Sequence, residues 1–427
     1  MQFGYLHPAD QLLMIMQRIY SRGMTTTSGG NLSIMDDDGN IWITPASIDK
    51  GTLTRKDIVC VKPNGEVVGI HKPSSELPFH ASVYRRRPDL KAVLHAHPPA
   101  LVAFSIVRKL PKMDLMPSTG KLLGKVAISE YAVPGSEQLG QNIAIFFDQG
   151  YDIVFLENHG VCIGGKSIFE AFQKFETLEY TASLEIAAKS LGETVSLSVE
   201  DIAATETACE MEKFENTVTP EELAVRRDMI PFIHRSYNQN LINATSGSFS
   251  VKLSDGSFVI TPFGKDRAYL EECDLVHVKD GKREAGKIPS RAVAFHAAMY
   301  AEHPEANAVI LASPQNVMAF AVTHTEFDPR TIPESYLLLR DAKMVDHKLL
   351  YEDPTAAAKL YCNPVPALIF KNDSIAVQGE TLLKAFDRLE VAEATAHSIV
   401  KSRALGDIVH ISDEAIDEIK VAFNLAD

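Results

Sequence analysis

Three histidines and one glutamate have the residue types and the spacing of a metal site. His95 and His97 are one residue apart in His-Ala-His-Pro-Pro, and His159 follows in Glu-Asn-His-Gly. A β-strand places residues i and i+2 on one face, so both imidazoles of the first pair can bind the same ion. Together with His159 and the carboxylate of Glu76 they form the donor set of a catalytic zinc centre. The pattern therefore predicts one Zn²⁺ ion, although other divalent first-row metals suit the same donors.

The elements that must position these residues are short and of mixed type. The apolar spacing predicts helices over 9–22, 78–87 and 168–191, and strands over 32–35, 40–43, 58–61, 91–94 and 153–156. Asp-Gly and Asn-Gly pairs between the early strands favour hairpins. Residues 91–94 and 153–156 lead directly into the histidine motifs. The predicted fold class is α/β, with a mostly antiparallel central β-sheet flanked by helices.

An internal repeat sets the domain organisation. Ile-Thr-Pro at 43–45 recurs at 260–262, and Phe-His-Ala at 79–81 recurs at 295–297. Between 79–104 and 295–320, 11 of 26 positions are identical without a gap. The constant order and the nearly constant shift predict a tandem duplication, with one domain at 1–210 and a second at 211–427. A helical stretch over Val199–Phe214 is expected to join the copies, and Thr219-Pro220 is expected to start the first helix of the second copy.

The second copy has lost the metal donors. Aligned by the repeat, the four donors of the first copy meet residues that cannot replace them as a set: Ala292, Leu311, Ser313 and Asp373. Asn31 meets Ser248, and Ser75 meets Arg291. We therefore expect one metal site per chain, in the first domain.

Composition excludes several classes of protein. The chain has 427 residues, a formal net charge of −14 and 45% hydrophobic residues, which is typical of a globular protein. An acidic chain argues against nucleic acid or an acidic membrane surface as the main partner. No signal-peptide pattern and no apolar run of about 18 residues are present. Five widely spaced cysteines, none in a CxxC pair, favour reduced, mostly buried thiols and a cytoplasmic location.

Seven motifs carry a resemblance to a known family. In order they are Ser-Gly-Gly-Asn-Leu-Ser at 28–33, Ile-Thr-Pro-Ala-Ser at 43–47, Ser-Ser-Glu-Leu-Pro-Phe-His at 74–80, Tyr84 with Arg-Pro-Asp at 87–89, His-Ala-His-Pro-Pro at 95–99, Tyr-Ala-Val-Pro-Gly-Ser at 131–136 and Glu-Asn-His-Gly at 157–160. The first domain resembles the class II aldolase/adducin family, and within it the zinc-dependent aldolases of the L-fuculose-phosphate type. The second resembles a degenerate copy of the same domain.

The resemblance implies a role for each matching residue. His95, His97 and His159 would bind zinc, with Glu76 completing the shell and acting as general acid and base. Hydroxyl, amide and backbone groups would hold a substrate phosphate, with contributions from Gly30, Asn31, Ser47, Ser74 and Ser75. Tyr131 would reach the site of a neighbouring subunit and exchange a proton with the aldehyde oxygen. His80 recurs as His296 in the copy without metal, so we expect a structural role for it. A small phosphorylated sugar is the implied partner, and a homo-oligomer with pseudo-fourfold packing of domains is the implied assembly.

The implied reaction is retro-aldol cleavage of a ketose 1-phosphate to dihydroxyacetone phosphate and an aldehyde. Family relatives leave alternatives open: a pentulose-phosphate 4-epimerase, which usually has Asp where this chain has Glu76, or a sugar-phosphate dehydratase or decarboxylase. An adducin-like interaction protein without catalysis is the alternative from another class. For the second domain, Tyr351 could lend its hydroxyl to the first-domain site, or Arg291 could bind an anionic regulator.

Overall fold

Two compact units are formed by the chain. The computed structural model describes residues 3–205, 210–361 and 366–425. Within these, the first unit contains residues 3–113 and 119–183, and the second contains 114–118 and the described residues from 184 onward.

The first copy of the fold is an eight-stranded sheet with helices. Its helices are α1 Pro8–Ser21, α2 Leu77–Arg86, α3 Pro99–Ile106, α4 Pro117–Leu123, α5 Glu137–Asp148 and α6 Ile168–Ala188. Its strands are β1 Asn31–Met35, β2 Ile41–Ile43, β3 Val59–Val61, β4 Val67–Val68, β5 Ala92–Ala96, β6 Val126–Ser129, β7 Ile153–Leu156 and β8 Gly160–Gly165. The strand order is β4-β3-β2-β1-β5-β8-β7-β6, and all pairs except β6–β7 are antiparallel.

The second copy repeats this plan. The joining helix α7 Val199–Ala204 precedes it. Its own helices are α8 Pro220–Asn238, α9 Val293–Glu302, α10 Gln315–Thr323, α11 Pro333–Leu339, α12 Lys348–Glu352, α13 Pro354–Leu360, α14 Leu382–Ser402 and α15 Asp413–Phe423. Its strands are β9 Lys213–Phe214, β10 Ser248–Lys252, β11 Phe258–Ile260, β12 Val276–Lys279, β13 Lys282–Glu284, β14 Ala308–Ala312, β15 Lys343–Val345, β16 Ala367–Phe370 and β17 Ser374–Gly379. The order β15-β16-β17-β14-β10-β11-β12-β13-β9 is the order of the first sheet with β9 added at one edge.

The strand register carries the duplication down to single residues. In the first copy Asn31 pairs with His95 across β1 and β5, and in the second Ser248 pairs with Leu311 across β10 and β14. These are the same residue pairs that the sequence repeat aligns. The predicted α/β fold with two largely antiparallel sheets is therefore confirmed.

Apolar helix faces hold each sheet. On α2 and α5 of the first copy, Phe79, Val83, Leu139 and Phe147 are buried in one cluster against the sheet. Burying each such side chain stabilises the fold by about 1.5–3 kcal/mol. In the second copy Phe295 on α9 is the counterpart of Phe79 and is also fully buried. The equivalent clusters pack helices against the sheets of both copies in the same way.

The helix start at Thr219 is confirmed, whereas the joining helix is shorter than predicted. The Thr219 hydroxyl accepts from the N–H of Glu222, and Pro220 follows in the first turn of α8. The predicted helix over Val199–Phe214 ends at Ala204, and Lys213–Phe214 forms β9. Backbone pairing with β13 outweighs the helical preference of this Glu- and Ala-rich stretch. Residues 206–209 lie outside the described part of the chain.

Two further features concern the cysteines and the lengths of the helices. Among the described residues Cys60 and Cys162 are buried and Cys273 is exposed, all without a disulfide. Cys209 and Cys362 lie outside the described residues. In the described parts, none of the helices has the length and apolar character needed to cross a membrane.

Candidate active site

Two neighbouring strands bring the three histidines together. His95 lies on the central strand β5, and His97 directly follows that strand. The β5–β8 register pairs Ala96 with Val161, which sets the turn containing His159 beside His97. That turn is made possible by Asn158, whose φ of 53° lies in the left-handed region that Asn tolerates. The predicted grouping of His95, His97 and His159 is what the fold produces.

The three imidazoles face one point. Their candidate ligand atoms all lie within 4.8 Å of one another. Ring centroids are 4.7 Å apart for His95 and His97, and 4.8 Å from each of these to His159. His95 Nε2 and His97 Nε2 are 2.9 Å apart. Lone pairs this close repel unless a cation or a proton lies between them, so the arrangement is suited to holding a positive ion.

Burial keeps these histidines neutral. It lowers the pKa of His95 and of His97 to about 3, and it also lowers the pKa of His159. His95 Nδ1 lies 2.9 Å from the carbonyl oxygen of Val161 and donates to it, which leaves Nε2 with its lone pair facing the other rings. A neutral imidazole in this tautomer is the form that binds a metal.

Unpartnered polar atoms test whether the residues fit a metal. His159 Nδ1 and Glu76 Oε1 are both buried and have no hydrogen-bond partner in the described structure. Such atoms are costly to bury without a partner. A cation among three neutral imidazoles and a carboxylate would satisfy them, and this N/O donor set is one that zinc prefers. The residues therefore fit the predicted metal.

Glu76 is held beside the histidines by a side-chain amide. Asn31 Nδ2 donates to Glu76 Oε2 at 2.7 Å, and the same oxygen is 3.4 Å from His95 Nε2. Glu76 is buried at the N-cap of α2, and its backbone N–H lies 3.3 Å from the hydroxyl of Ser74. A buried carboxylate next to the metal donors is positioned to transfer protons.

The predicted phosphate-binding residues lie on loops that run side by side. Ala46 N donates to the Lys72 carbonyl at 3.0 Å, and Ser74 N donates to the Thr44 carbonyl at 3.2 Å. These bonds join the loop of Ser47 to that of Ser74 and Ser75. Asn31 begins the adjacent strand β1, which pairs with β2. Ser47 and Ser75 are exposed and Ser74 is buried.

Close backbone approaches explain two glycines. Gly30 has a φ of 70°, and a Cβ on it would lie 2.7 Å from the carbonyl oxygen of His95. A Cβ on Gly160 would lie 2.5 Å from the Ala96 carbonyl oxygen and 2.7 Å from the His97 ring. Any side chain at either position would push the histidine strands apart.

Tyr131 is exposed on a loop next to the serine loops. Its side chain is 54% exposed, and its backbone N–H donates to Glu157 at 3.2 Å. Gly135 in the same loop approaches the carbonyl of Ser75. An exposed tyrosine at this edge is free to reach beyond its own subunit, and its predicted role in proton exchange stays a prediction.

The second copy fills the equivalent position with a different polar cluster. Asp373, at the place of His159, is buried and accepts from the hydroxyls of Tyr351 at 2.9 Å and Ser374 at 2.8 Å. Burial raises the pKa of Asp373. Leu311, Ser313 and Ala292 replace the other three donors. Among the described residues of the second unit, the group of metal-type donors that comes close together is the exposed Glu271, Cys273 and Asp274, remote in sequence from these positions.

One buried carboxylate near the site was missed by sequence reasoning. Glu179 on α6 accepts from the backbone N–H groups of Ala100 and Leu101 at 3.1 and 3.0 Å, at the N-terminus of α3. The signal that could have found it is the repeat, because Glu393 on α14 does the same for Asn316 and Val317.

Comparison with known proteins shows the family of the chain. The family model for the Class II Aldolase and Adducin N-terminal domain matches residues 10–186 and, again, residues 227–400. The chain belongs to this family, and it contains the domain twice.

Its relatives catalyse more than one reaction. The 3-oxo-tetronate 4-phosphate decarboxylase of Pectobacterium atrosepticum is 34% identical over 178 residues, covering 41% of this chain and 81% of the relative. The L-fuculose phosphate aldolase of Methanococcus maripaludis is 35% identical over 182 residues, which cover 42% of this chain and 97% of the relative. The solved structure of YgbL from Escherichia coli is 31% identical and has a TM-score of 0.42. The match covers 46% of this chain and 95% of YgbL.

Proposed function

We propose that the first unit contains the active site of a metal-dependent carbon–carbon lyase. This enzyme would cleave a ketose 1-phosphate to dihydroxyacetone phosphate and an aldehyde. The observation that carries this proposal is the group of His95, which is buried, with the partly buried His97 and His159 and with Glu76 beside them. The second unit lacks these donors, so we propose one active site per chain.

The three histidines and Glu76 would hold the metal, for which Zn²⁺ is our proposal. When bound, the ion supplies Lewis-acid stabilisation of the negative charge that develops on the substrate oxygens. The protein contributes the neutral tautomer of His95, which the Val161 carbonyl fixes.

Glu76 would carry the proton that the reaction moves at carbon. Breaking the carbon–carbon bond next to the ketone leaves an enediolate, which becomes dihydroxyacetone phosphate when it gains a proton at carbon. Glu76 Oε2 is held by Asn31, while Oε1 has no partner in the described structure. The unpartnered oxygen is therefore available to exchange a proton with the substrate. Tyr131 would exchange the second proton with the aldehyde oxygen.

Hydroxyl, amide and backbone groups would bind the phosphate. We propose that the hydroxyls of Ser47, Ser74 and Ser75, the second N–H of the Asn31 amide and the backbone at Gly30 contribute to this phosphate site. Such groups can satisfy phosphate oxygens without a large positive charge, which is compatible with a net charge of −14. Binding energy from the phosphate holds the reacting carbons in place.

A decarboxylase is supported equally by the relatives. Loss of CO₂ from a 3-oxo-tetronate 4-phosphate leaves an enediolate of dihydroxyacetone phosphate, so both reactions need the same charge stabilisation and the same protonation at carbon. They differ in the leaving group, an aldehyde or CO₂. The residues beyond Glu76 that contact this leaving group decide between them.

One pair of substrates tests the proposal. Metal-loaded protein is given L-fuculose 1-phosphate or 3-oxo-tetronate 4-phosphate, and dihydroxyacetone phosphate, aldehyde and CO₂ are measured. Aldehyde release supports the aldolase, and CO₂ release supports the decarboxylase. Loss of activity in Glu76→Gln, with metal retained, is expected in either case. Metal-loaded protein that releases none of these products from a panel of ketose phosphates would contradict both and favour an epimerase or dehydratase.

The assembly and location belong to the same proposal. We propose a homo-oligomer in which domains pack with pseudo-fourfold symmetry and Tyr131 serves a neighbouring site, in the cytoplasm. Light scattering of the purified protein tests the oligomer: a monomer that is fully active would contradict it.

A further inference from the structure

A line of buried hydrogen bonds ends on Glu76. The hydroxyl oxygens of Tyr84 and Ser33 are 2.6 Å apart, and Ser33 Oγ is 2.7 Å from His80 Nδ1. His80 Nε2 is 2.5 Å from Asn31 Oδ1, and Asn31 Nδ2 is 2.7 Å from Glu76 Oε2. All five side chains are buried. The line therefore connects the proposed acid and base to groups deep in the first unit.

The chemistry of the groups gives every bond in this line one direction. A carboxylate oxygen only accepts, so the Asn31 amide must donate to Glu76 and turn its oxygen to His80. His80 then donates from Nε2. A neutral imidazole that donates from Nε2 has its lone pair on Nδ1, so Nδ1 accepts from Ser33. Ser33 in turn accepts from Tyr84.

The second copy contains the same line without its last member. Tyr300 and Ser250 are 2.6 Å apart, Ser250 is 2.6 Å from His296 Nδ1, and His296 Nε2 is 2.7 Å from Ser248. Here the line ends on a hydroxyl, and Ala292 stands where the first copy has Glu76. A hydroxyl can donate or accept, so this copy needs no fixed direction. The first three residues thus serve the fold in both copies, whereas Asn31 extends the line to a carboxylate in one.

We propose that Ser33 and His80 are positioning residues for Glu76: they hold the oxygen end of the Asn31 amide in place, so that its N–H stays directed at the carboxylate and keeps Glu76 beside the histidines. This inference rests on the proposed function of the first unit. The Asn31 amide keeps a second N–H for a phosphate oxygen, so it serves both roles at once.

A matched pair of substitutions separates positioning from folding. Ser33→Ala removes the donor to His80 Nδ1, so the ring can move or take the other tautomer, and the Asn31 oxygen loses the partner that holds the amide in place. Ser250→Ala does the same to His296, whose partner Ser248 accommodates either tautomer. We expect similar decreases in melting temperature for the two variants. Only Ser33→Ala lowers kcat, by about 10- to 100-fold as is usual when a group behind a metal site is removed, with KM changed less than about twofold.

A second variant uses the residue of the second copy. Asn31→Ser keeps a hydroxyl for His80, as Ser248 does for His296, but it is too short to hold Glu76 as well. Its kcat should fall as in Ser33→Ala, and its KM should also rise because the phosphate loses the amide.

Crystal structures of the wild type and of both serine variants complete the test. Glu76 should be bonded to Asn31 in the wild type and in Ser250→Ala, and displaced in Ser33→Ala. An unchanged Glu76 and Asn31 in Ser33→Ala, or equal loss of kcat in both variants, would overturn the positioning role. If the wild type cleaves none of the sugar phosphates, the proposed function fails, while the displacement of Glu76 still decides the role of Ser33 and His80.

Discussion

The carboxylate of Glu179 accepts the backbone N–H of Ala100 at 3.1 Å, three residues beyond His97. With the neighbouring bond from Leu101, it fixes the first turn of α3 and therefore the segment that leaves the metal site. Glu393 binds the first turn of α10 in the same way, but the strand before that helix carries no metal donor. The duplication thus provides an internal control for the effect of this carboxylate on the site.

The first prediction uses that control. In Glu179→Gln the new amide N–H faces the backbone N–H of Ala100 or of Leu101, because each carboxylate oxygen accepts from one of them. In Glu393→Gln it faces Asn316, whose backbone N–H and side-chain amide both donate to one carboxylate oxygen. We expect each variant to lose about 1–3 kcal/mol in its free energy of unfolding, the cost of an unsatisfied buried group. Only Glu179→Gln should weaken zinc binding, by about 10-fold, because only there does the helix follow a ligand. Competition with a chelator measures this; equal zinc affinity in both variants would refute the link to His97.

The second prediction concerns pH. Burial raises the pKa of Glu179 to about 7, and its hydrogen bonds to Ala100 and Leu101 offset part of that rise. In the unfolded chain a glutamate has a pKa of about 4.3. The folded state therefore favours the protonated form, and its stabilising effect is complete below about pH 4.3 and is lost as the pH rises through about 7.

Urea unfolding at several pH values measures this effect. Gln does not titrate, so the free energy of unfolding of the wild type relative to Glu179→Gln should decrease between pH 4.5 and 7.5. A difference that stays constant over this range would show that Glu179 is ionised throughout.

The sequence predicts the histidine group and the duplication, but not the contacts of the residues around that group. The spacing of His95 and His97 fixed their common face, because a strand alternates its side chains, and the repeat identified the copy that lacks donors. The repeat also aligns Glu179 with Glu393, but spacing alone did not reveal what Glu179 contacts, since a glutamate in a helical pattern normally faces solvent and its partners are 78 and 79 residues away. The line from Tyr84 to Glu76 likewise joins residues whose proximity only the β1 register and the packing of α2 create.

The third prediction concerns strain at Ser47. Its φ of 57° lies in the left-handed region, whereas the repeat places Gly264, with a φ of 66°, at the same position of the second copy. A non-glycine residue is disfavoured there by about 1–2 kcal/mol. Retention of such strain is typical of a functional position. Ser47→Gly should therefore leave the melting temperature unchanged or higher, while KM for the phosphorylated substrate rises about 10-fold with the loss of a hydrogen bond to a charged group.

A residue of the second unit provides a control for Ser47→Gly. Asp280, with a φ of 49°, is also left-handed and can be replaced by glycine as a control. Asp280→Gly should gain stability without a change in KM. If Ser47→Gly behaves in the same way, Ser47 does not contact the phosphate.

The fourth prediction is the metal content. Elemental analysis should find one zinc ion per chain, and His159→Ala should lose it because the remaining donors no longer surround the ion. Asp373→Asn changes the equivalent position of the second copy and should leave the zinc content at one per chain. Two ions per chain in the wild type would contradict a degenerate second domain.

The fifth prediction compares two tyrosines that follow equivalent strands. Tyr131 is 54% exposed, so Tyr131→Phe should leave stability unchanged and lower kcat by about 100-fold or more, as removal of a general acid or base does. The hydroxyl of Tyr351 is buried and donates to Asp373 at 2.9 Å within the second unit. Tyr351→Phe removes this bond, so it should lower the melting temperature and leave kcat unchanged. Steady-state kinetics and thermal unfolding of both variants decide the matter. A large loss of kcat in Tyr351→Phe would instead assign that hydroxyl to the active site and give the second domain a part in catalysis.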